Sequence, residues 1–280
     1  MPKYLKLALI FIISTIIVMG AITISKEPKT NLAWLPEYQK TATVDTATSS
    51  VTIRNVRDWT YTNTVLSQDW IDVTVDPNTV TSAWFIVEPF GGNEAVGHTF
   101  LSFEFADNTF LSFSVQARQE TNEDYSAFEG AVNEYELAYQ WGTERDFIAR
   151  RLLFLKHDIR LYQLDISSDD AQRLFRAVLE ETNTLANEPR FYNTFTANCT
   201  NLLAKSVNKH YPHRLPYDIS WNLTGYSDFY LMDQGLIENS NGHEAARTAA
   251  DLTPYRELIN TVATTSPKEF SATIRKLIDK

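Results

Sequence analysis

The sequence is short of cysteine and of basic charge, and both shortages exclude classes of protein. Cys199 is the only cysteine among 280 residues, so no intrachain disulfide can form. Lys and Arg number 25 against 35 Asp and Glu, and no dense basic run offsets the formal net charge of -10. Because a nucleic-acid-binding surface concentrates basic side chains, we expect no nucleic-acid partner. The same negative charge repels an anionic lipid surface, so lipid contact would depend on apolar side chains or an anchor.

The remaining composition is typical of a folded protein. Hydrophobic residues make up 44% and charged residues 21% of the chain, unlike the mixture found in disordered proteins. We predict a signal anchor or signal peptide at 1–25, a linker at 26–50 and one folded domain at 51–280. Within the linker, Trp34 and Tyr38 are expected to pack on the domain. A domain of this length buries enough core to fold without disulfides.

An uncharged apolar stretch runs from Leu7 to Ile24, after Lys3 and Lys6. At about 1.5 Å per residue it would span most of a hydrocarbon core of roughly 30 Å as a helix. One interpretation is an uncleaved, single-pass transmembrane anchor. The other is a signal peptide cleaved within 18–21, which would release the domain. The two lysines favour a cytoplasmic N-terminus, with the domain on the far side of the membrane.

The pattern of apolar residues predicts an α+β fold, in which an antiparallel sheet packs against helices. Strands are expected at 51–56, 70–75 and 82–87, followed by a hairpin. The second half is mostly helical in pattern, with expected helices at 144–153, 171–187, 199–209 and from 268 onward, and one more strand at 156–166.

The register of the hairpin is restricted by its two alternating strands, 99–105 and 111–117. Their apolar faces must lie on the same side of the sheet, which favours pairing Phe105 with Thr109 across a three-residue loop. Asn108 then takes the left-handed conformation, which asparagine tolerates. This register places His98 directly opposite Gln116.

Cys199 lies at the predicted first turn of a helix, directly after Asn198. Exposed backbone N–H groups and the helix dipole favour a thiolate there, and the same N–H groups can hold an oxyanion during acyl transfer. The alternative is that Cys199 is a small buried residue with an inert thiol.

A thiol nucleophile needs a base, and His98 is the candidate because it begins a strand just after a glycine-containing turn. Gln116, opposite His98, is the candidate that orients the imidazole. Ser114 and Arg118 are the next choices for that role.

Two other histidines, His210 and His213, form a His-x-x-His pair without a third ligand. This is a weak metal signal, and we expect neither a metal nor another cofactor.

Several segments together resemble the Lnb N-terminal periplasmic domain family. The most specific blocks are Gly97–Phe105, which contains His98, and Phe191–Thr200, which contains Cys199. Weaker similarity covers 53–59, 114–120 and 143–146, and the resemblance extends from about Trp34 to the region of Arg275.

The resemblance implies a fold and an activity. The family is similar to circularly permuted NlpC-type and papain-like cysteine enzymes, in which the histidine strand precedes the cysteine helix. Lnb is a bacterial lipoprotein N-acyltransferase, which moves an acyl chain onto the amino group of a lipoprotein's N-terminal lipidated cysteine. By position, Cys199 would be the nucleophile and His98 its base, with Asn198 and Tyr192 in supporting roles. The family usually has Glu at the position of Gln116, and Gln cannot stabilise an imidazolium by charge.

We therefore expect a thiol-dependent acyltransferase of the bacterial cytoplasmic membrane, on the periplasmic side, with membrane lipid or lipoprotein as substrate. Two alternatives stay open. An open, polar cleft beside Cys199 would favour a cell-wall cysteine peptidase or amidase. A thiol far from His98, without a cleft, would favour a non-catalytic accessory or binding domain.

Overall fold

A computed structural model describes residues 25–210 and 215–278, together with residues 4–7, 11, 14, 20 and 23. None of the helices within these ranges is both long and apolar enough to cross a membrane. Most of the apolar stretch Leu7–Ile24, on which the prediction of a transmembrane helix depends, lies outside the described residues. His213 and the side chain of His210 also lie outside them.

The described chain forms one large sheet and one small hairpin. The strands are β1 (Thr43–Thr46), β2 (Val51–Arg57), β3 (Thr60–Tyr61), β4 (Val65–Ser67), β5 (Trp70–Val75), β6 (Val80–Pro89), β7 (Gly97–Phe105), β8 (Phe110–Arg118), β9 (Glu136–Thr143) and β10 (Arg160–Gln163). The large sheet has the order β1-β2-β9-β8-β7-β6-β10, with β5 also paired to β2, while β3 and β4 pair separately. Its strands pair antiparallel except for β2 and β9.

Helices cover both faces of the sheet. They are α1 (Ala127–Ala131), α2 (Glu144–Ala149), α3 (Ser168–Asn187), α4 (Cys199–His210), α5 (Ser227–Asp233), α6 (His243–Ala250), α7 (Arg256–Val262) and α8 (Pro267–Ile278). One core packs Phe103 and Leu101 of β7 against α3 and α4. A second core packs Phe100, on the opposite face of β7, against α2, α7 and α8. The predicted α+β class is therefore confirmed, with a helix layer on each side of the sheet.

The predicted hairpin register is confirmed. The Phe105 N–H donates to the Thr109 carbonyl at 3.0 Å, and Asn108 has a φ of 60°. Phe100 pairs with Ser114 and Leu101 with Phe113, a register that continues to His98 opposite Gln116.

The predicted helix starts match α2 and α4, lie one residue late for α8 and three residues late for α3, which begins at Ser168. The helices α5, α6 and α7 were not predicted. The Ser167 hydroxyl caps α3 by accepting from the Asp170 N–H, as its polar sequence indicated. The expected helix at 144–153 is α2 continued by a π-helical turn at Arg150–Phe154. The expected strand at 156–166 is shorter, since only Arg160–Gln163 pairs with β6.

The segment predicted to be a linker contributes more to the domain than its composition indicated. Trp34 and Tyr38 are buried, as expected. In addition, Thr43–Thr46 forms β1, which pairs with β2 along four residues. Only one of these four residues is buried, so the strand has no apolar alternation by which the sequence could have marked it.

Candidate functional site

The β7–β8 hairpin holds the His98 imidazole in a fixed orientation. Its Nε2 atom lies 2.7 Å from Ser114 Oγ and 3.2 Å from Gln116 Nε2. Gln116 Nε2 also donates to Ser114 Oγ at 2.7 Å. Ser114 and Gln116, both proposed from the register alone, therefore contact the imidazole.

Ser114 and Gln116 both contact Nε2 of the imidazole and leave Nδ1 open. Within the described residues, no hydrogen bond to His98 Nδ1 is formed. The amide oxygen and nitrogen of Gln116 exchange places on a half turn of the side chain, so the amide can donate to Nε2 or accept from Nε2–H. The second orientation leaves the Nδ1 lone pair available to accept a proton.

A buried charge cluster surrounds His98 on its face of the sheet. Glu88 lies opposite His98 in β6, and its carboxylate accepts from Arg151 Nε and bonds His157 Nδ1, each at 2.6 Å. Burial, together with the smaller effect of the Arg151 guanidinium, lowers the pKa of His98 to about 3 against the opposing effect of Glu88. The imidazole is therefore neutral at physiological pH.

The same cluster keeps Glu88 ionised. Burial alone would raise the pKa of Glu88, but Arg151 and His157 outweigh it and bring that pKa to about 2. Because Glu88 faces His98 in the register of β6 and β7, its charge offsets that of Arg151 close to the imidazole.

Cys199 is the first residue of α4, and its side chain is 3% exposed. Its Sγ lies 3.9 Å from Thr200 Oγ1, which lies 3.0 Å from Thr99 Oγ1. Burial raises the pKa of the thiol, although hydrogen bonds from Thr99 and Thr200 act in the opposite direction. The thiol is therefore protonated in this structure.

Asn198 fixes the start of α4. Its Oδ1 accepts from the Asn201 N–H, and its own N–H donates to Asn201 Oδ1, both at 2.9 Å. Its Nδ2 donates to the carbonyls of Thr194 and Trp221, also at 2.9 Å each. The predicted cap is confirmed, and it ties the cysteine helix to the two loops on either side.

The thiol and the imidazole lie on opposite faces of β7. His98 stacks on Phe100 at a centroid distance of 6.1 Å, whereas the next residue, Thr99, contacts Thr200 in α4. Successive side chains of a strand point to opposite faces. Across the described part of the chain, no hydrogen bond joins Cys199 Sγ to the imidazole. The structure thus groups His98 with Ser114 and Gln116, and keeps Cys199 on the other face.

The other two candidate residues have different surroundings. Tyr192 is buried on the side of Cys199, and burial together with the nearby thiol raises the pKa of its phenol well above the ordinary value. Its hydroxyl lies 3.3 Å from that of Tyr125. Arg118 instead donates to the Tyr38 carbonyl and stacks over the Trp34 ring at 4.0 Å. It anchors the N-terminal segment rather than orienting His98.

Sequence reasoning missed Glu88, Arg151 and Thr99. The register of β6 against β7 would have found Glu88, but the turn between these strands does not fix their pairing as the β7–β8 loop does. Among the described residues, no three His, Cys, Asp or Glu side chains lie close enough to hold a metal ion.

An apolar cavity of about 90 Å³ lies on the Cys199 face of the sheet. It is bounded by α3, α4, α5 and the sheet, and its wall is mostly aliphatic and aromatic, including Leu101, Leu174, Leu203, Val207, Trp221 and Leu231. Thr200, whose hydroxyl contacts the thiol, forms part of this wall. The cavity therefore begins one residue from Cys199.

Comparison with known proteins identifies the family. No curated protein and no solved structure matches the chain significantly. The family model of the Lnb N-terminal periplasmic domain matches residues 67–224, which include His98, Gln116 and Cys199. The weaker block at 53–59 lies outside this match. Because the match covers more than half of the 280 residues, the chain belongs to the Lnb N-terminal periplasmic domain family.

Proposed function

We propose that this protein is a thiol-dependent acyltransferase on the periplasmic side of the membrane, with Cys199 as nucleophile and His98 as base. The observation that carries the proposal is the oriented, neutral imidazole, whose Nε2 is held by Ser114 and Gln116 while Nδ1 stays open. A base held in this way by a third polar group is typical of thiol and hydroxyl nucleophile sites. We further propose that the apolar segment Leu7–Ile24 anchors the domain in the membrane.

The proposed reaction has two halves. Cys199 Sγ attacks the carbonyl of an acyl ester while His98 takes the thiol proton, and the C–O bond breaks as His98 returns that proton to the leaving alcohol. An amine then attacks the resulting thioester, His98 takes the amine proton, and the C–S bond breaks. The proton passes to the departing sulfur, which restores the thiol and leaves an amide. The N–H groups at the start of α4 would hold the oxyanion in both halves.

The geometry corresponds to a resting state under this proposal. The thiol is protonated and contacts Thr99, and the neutral imidazole of His98 points to the opposite face of β7. His98 is the second residue of β7, so the start of the strand, rather than its middle, separates the two groups. The mechanism requires Sγ and Nδ1 to approach within hydrogen-bond distance when substrate binds, as catalytic pairs often do only in the complex.

The cavity favours an acyl substrate over a cell-wall peptide. A peptidase or amidase needs a polar cleft at the thiol, whereas the wall that continues from Thr200 is apolar. An acyl chain entering this cavity would gain about 0.8 kcal/mol per buried methylene.

A second candidate is non-catalytic binding of acylated ligands. The specific observation in its favour is that Cys199 and His98 lie on opposite faces of β7. Such a protein would use the cavity but would never form a thioester.

Intact-mass spectrometry after incubation with a phospholipid donor tests the first proposal. The wild type should gain an acyl mass that hydroxylamine removes, while Cys199→Ala and His98→Asn should gain none. His243→Asn is the matched control, because His243 bonds Asp233 away from β7. Undiminished acylation of Cys199→Ala would refute the assignment of Cys199 as the nucleophile. Donor binding without any adduct in the wild type would favour the binding protein.

Substitutions in the cavity wall provide a second test of the acyl-transfer proposal. Ala204 is buried in its wall, so Ala204→Trp should reduce acylation by long-chain donors more than by short-chain donors. Ala245→Trp, at an exposed position of α6, should leave both rates unchanged. Equal loss for the two donor lengths would contradict the cavity as the acyl site.

A further inference from the structure

Five large apolar side chains are exposed on loops and short helices around the start of α4. We name them the apolar rim: Phe128, Phe195, Tyr217, Ile219 and Leu223, with exposed fractions of 68%, 63%, 68%, 61% and 40%. Single exposed apolar residues are ordinary on soluble domains, but a cluster of this kind marks an interaction surface.

Hydrogen bonds join the rim segments into one surface. Thr194, next to Phe195, donates through its hydroxyl to the Ala127 carbonyl and through its N–H to the Gly130 carbonyl, at either end of α1. Asn198 bridges the carbonyls of Thr194 and Trp221, which brings the segment 219–223 beside Phe195. The rim thus surrounds the N-terminal end of the helix that carries Cys199.

The N-terminal apolar segment joins the domain at the same end. Lys26, two residues after the end of the apolar stretch, donates to the carbonyls of Val132 and Asn133 and pairs with Glu134 at 2.6 Å. Asn133 in turn accepts from Asn193 Nδ2 at 2.9 Å, directly before the loop that carries Phe195. A short series of contacts therefore connects the chain leaving the apolar stretch to the rim.

We propose that the apolar rim contacts the lipid bilayer, so that the end of the domain carrying Cys199 faces the membrane. Under the proposed anchoring by Leu7–Ile24, the contacts of Lys26 keep this end close to the bilayer surface. Aromatic and aliphatic side chains on loop tips then enter the headgroup region, where the hydroxyl of a tyrosine can stay hydrated. This orientation rests on the proposed membrane anchor and not on the proposed acyl transfer.

Charge favours apolar insertion over attraction to anionic lipids. The chain carries a net charge of -10, and acidic side chains lie close to the rim. Two of them have local partners, since Glu129 accepts from the Tyr135 hydroxyl and Asp218 accepts from the Ser220 N–H. We therefore expect contact with a zwitterionic bilayer to persist at high salt.

Fluorescence quenching in nanodiscs of phosphatidylcholine tests the orientation on the full chain. In a Cys199→Ala background, Phe195→Cys and Ile219→Cys carry an environment-sensitive dye, and the nanodiscs contain nitroxide-labelled lipid. Leu66→Cys is the matched control, because Leu66 is 55% exposed on the β3–β4 hairpin, which pairs separately from the large sheet and shares none of the hydrogen bonds that join the rim segments. Dyes at 195 and 219 should emit at shorter wavelength and be quenched, and the dye at 66 should not.

Photo-crosslinking of the unmodified chain keeps the test valid if a labelled variant does not fold. Diazirine-labelled phosphatidylcholine should attach to peptides covering 125–131, 193–198 and 217–223, and not to 60–75. Equal quenching at all three dye positions, or crosslinks mainly within 60–75, would overturn the proposal. Loss of acylation in Cys199→Ala affects neither readout, so the orientation and the catalytic proposal fail separately.

Discussion

The buried, neutral His98 should make the stability of the fold depend on pH. The pKa of His98 is about 3 in the folded protein, against about 6.5 for an unfolded histidine. Between these values the unfolded chain binds a proton at this site and the native chain does not. Stability therefore decreases as the pH falls from 6.5 towards 3, and this contribution is fully retained above 6.5.

The expected size follows from the difference between the two pKa values. At pH 5 the unfolded histidine is almost fully protonated while folded His98 is neutral, which costs about 2 kcal/mol relative to pH 8. Glu88 acts in a lower window. Its folded pKa is about 2, so the stability that it contributes is lost only as the pH falls below the ordinary range of a glutamate, near 4.5. Of these two groups, His98 therefore accounts for most of the change in stability between pH 8 and pH 5.

Urea unfolding of the wild type and of His98→Asn at these two pH values tests the reasoning. Asparagine keeps a polar group beside Ser114 but has no proton to gain. The wild type should lose about 2 kcal/mol more than the variant between pH 8 and pH 5. An identical loss in both proteins would mean that the imidazole is not held neutral by burial, and the site as described would be wrong.

Two further changes have defined outcomes. Arg57→Ala should lower the free energy of unfolding by about 3–5 kcal/mol, because it leaves the fully buried Asp146 carboxylate without its cation. Arg54→Ala, whose side chain is 51% exposed in its ion pairs, should cost less than about 1 kcal/mol in the same urea titration, and equal losses would contradict this. Gln116→Glu should raise the pKa of His98, since a carboxylate favours the imidazolium, and should move the acidic limb of the acylation pH profile upward. Gln116→Leu should not move that limb upward, and an unchanged profile in the Glu variant would argue against contact with the imidazole.

The sequence predicted those parts of the fold in which the alternation of polar and apolar residues allows only one strand register. The β7–β8 register followed from two apolar faces and an asparagine at the left-handed position. β9 was missed because all eight of its residues are buried, so polar and apolar residues do not alternate. α1 was missed because it has only five residues.

The candidate site likewise contains residues that the strand register predicts and residues that it does not. Gln116 and Ser114 lie beside His98 because the register places them there. Arg118, on the same strand, was a wrong choice for orienting His98, since its guanidinium turns to the Tyr38 carbonyl instead. Alternation also shows that positions 98 and 99 face opposite ways. It does not show which face of the sheet α4 covers. About eighty residues separate β8 from Cys199, and no local sequence feature among them indicates the face on which α4 packs.

The placement of Cys199 has a chemical consequence in an oxidising compartment. A thiolate at an exposed helix start would be oxidised readily, whereas a buried thiol with a raised pKa is protected. Under the proposed mechanism, that protection must end when the donor arrives. Trp221 links the two events, since it lines the apolar cavity and its carbonyl is bonded by Asn198, the cap of the cysteine helix. An acyl chain entering the cavity from the rim would therefore contact Trp221 and displace the residues that hold Cys199 in place. Under this mechanism, activation of the thiol would depend on lipid binding.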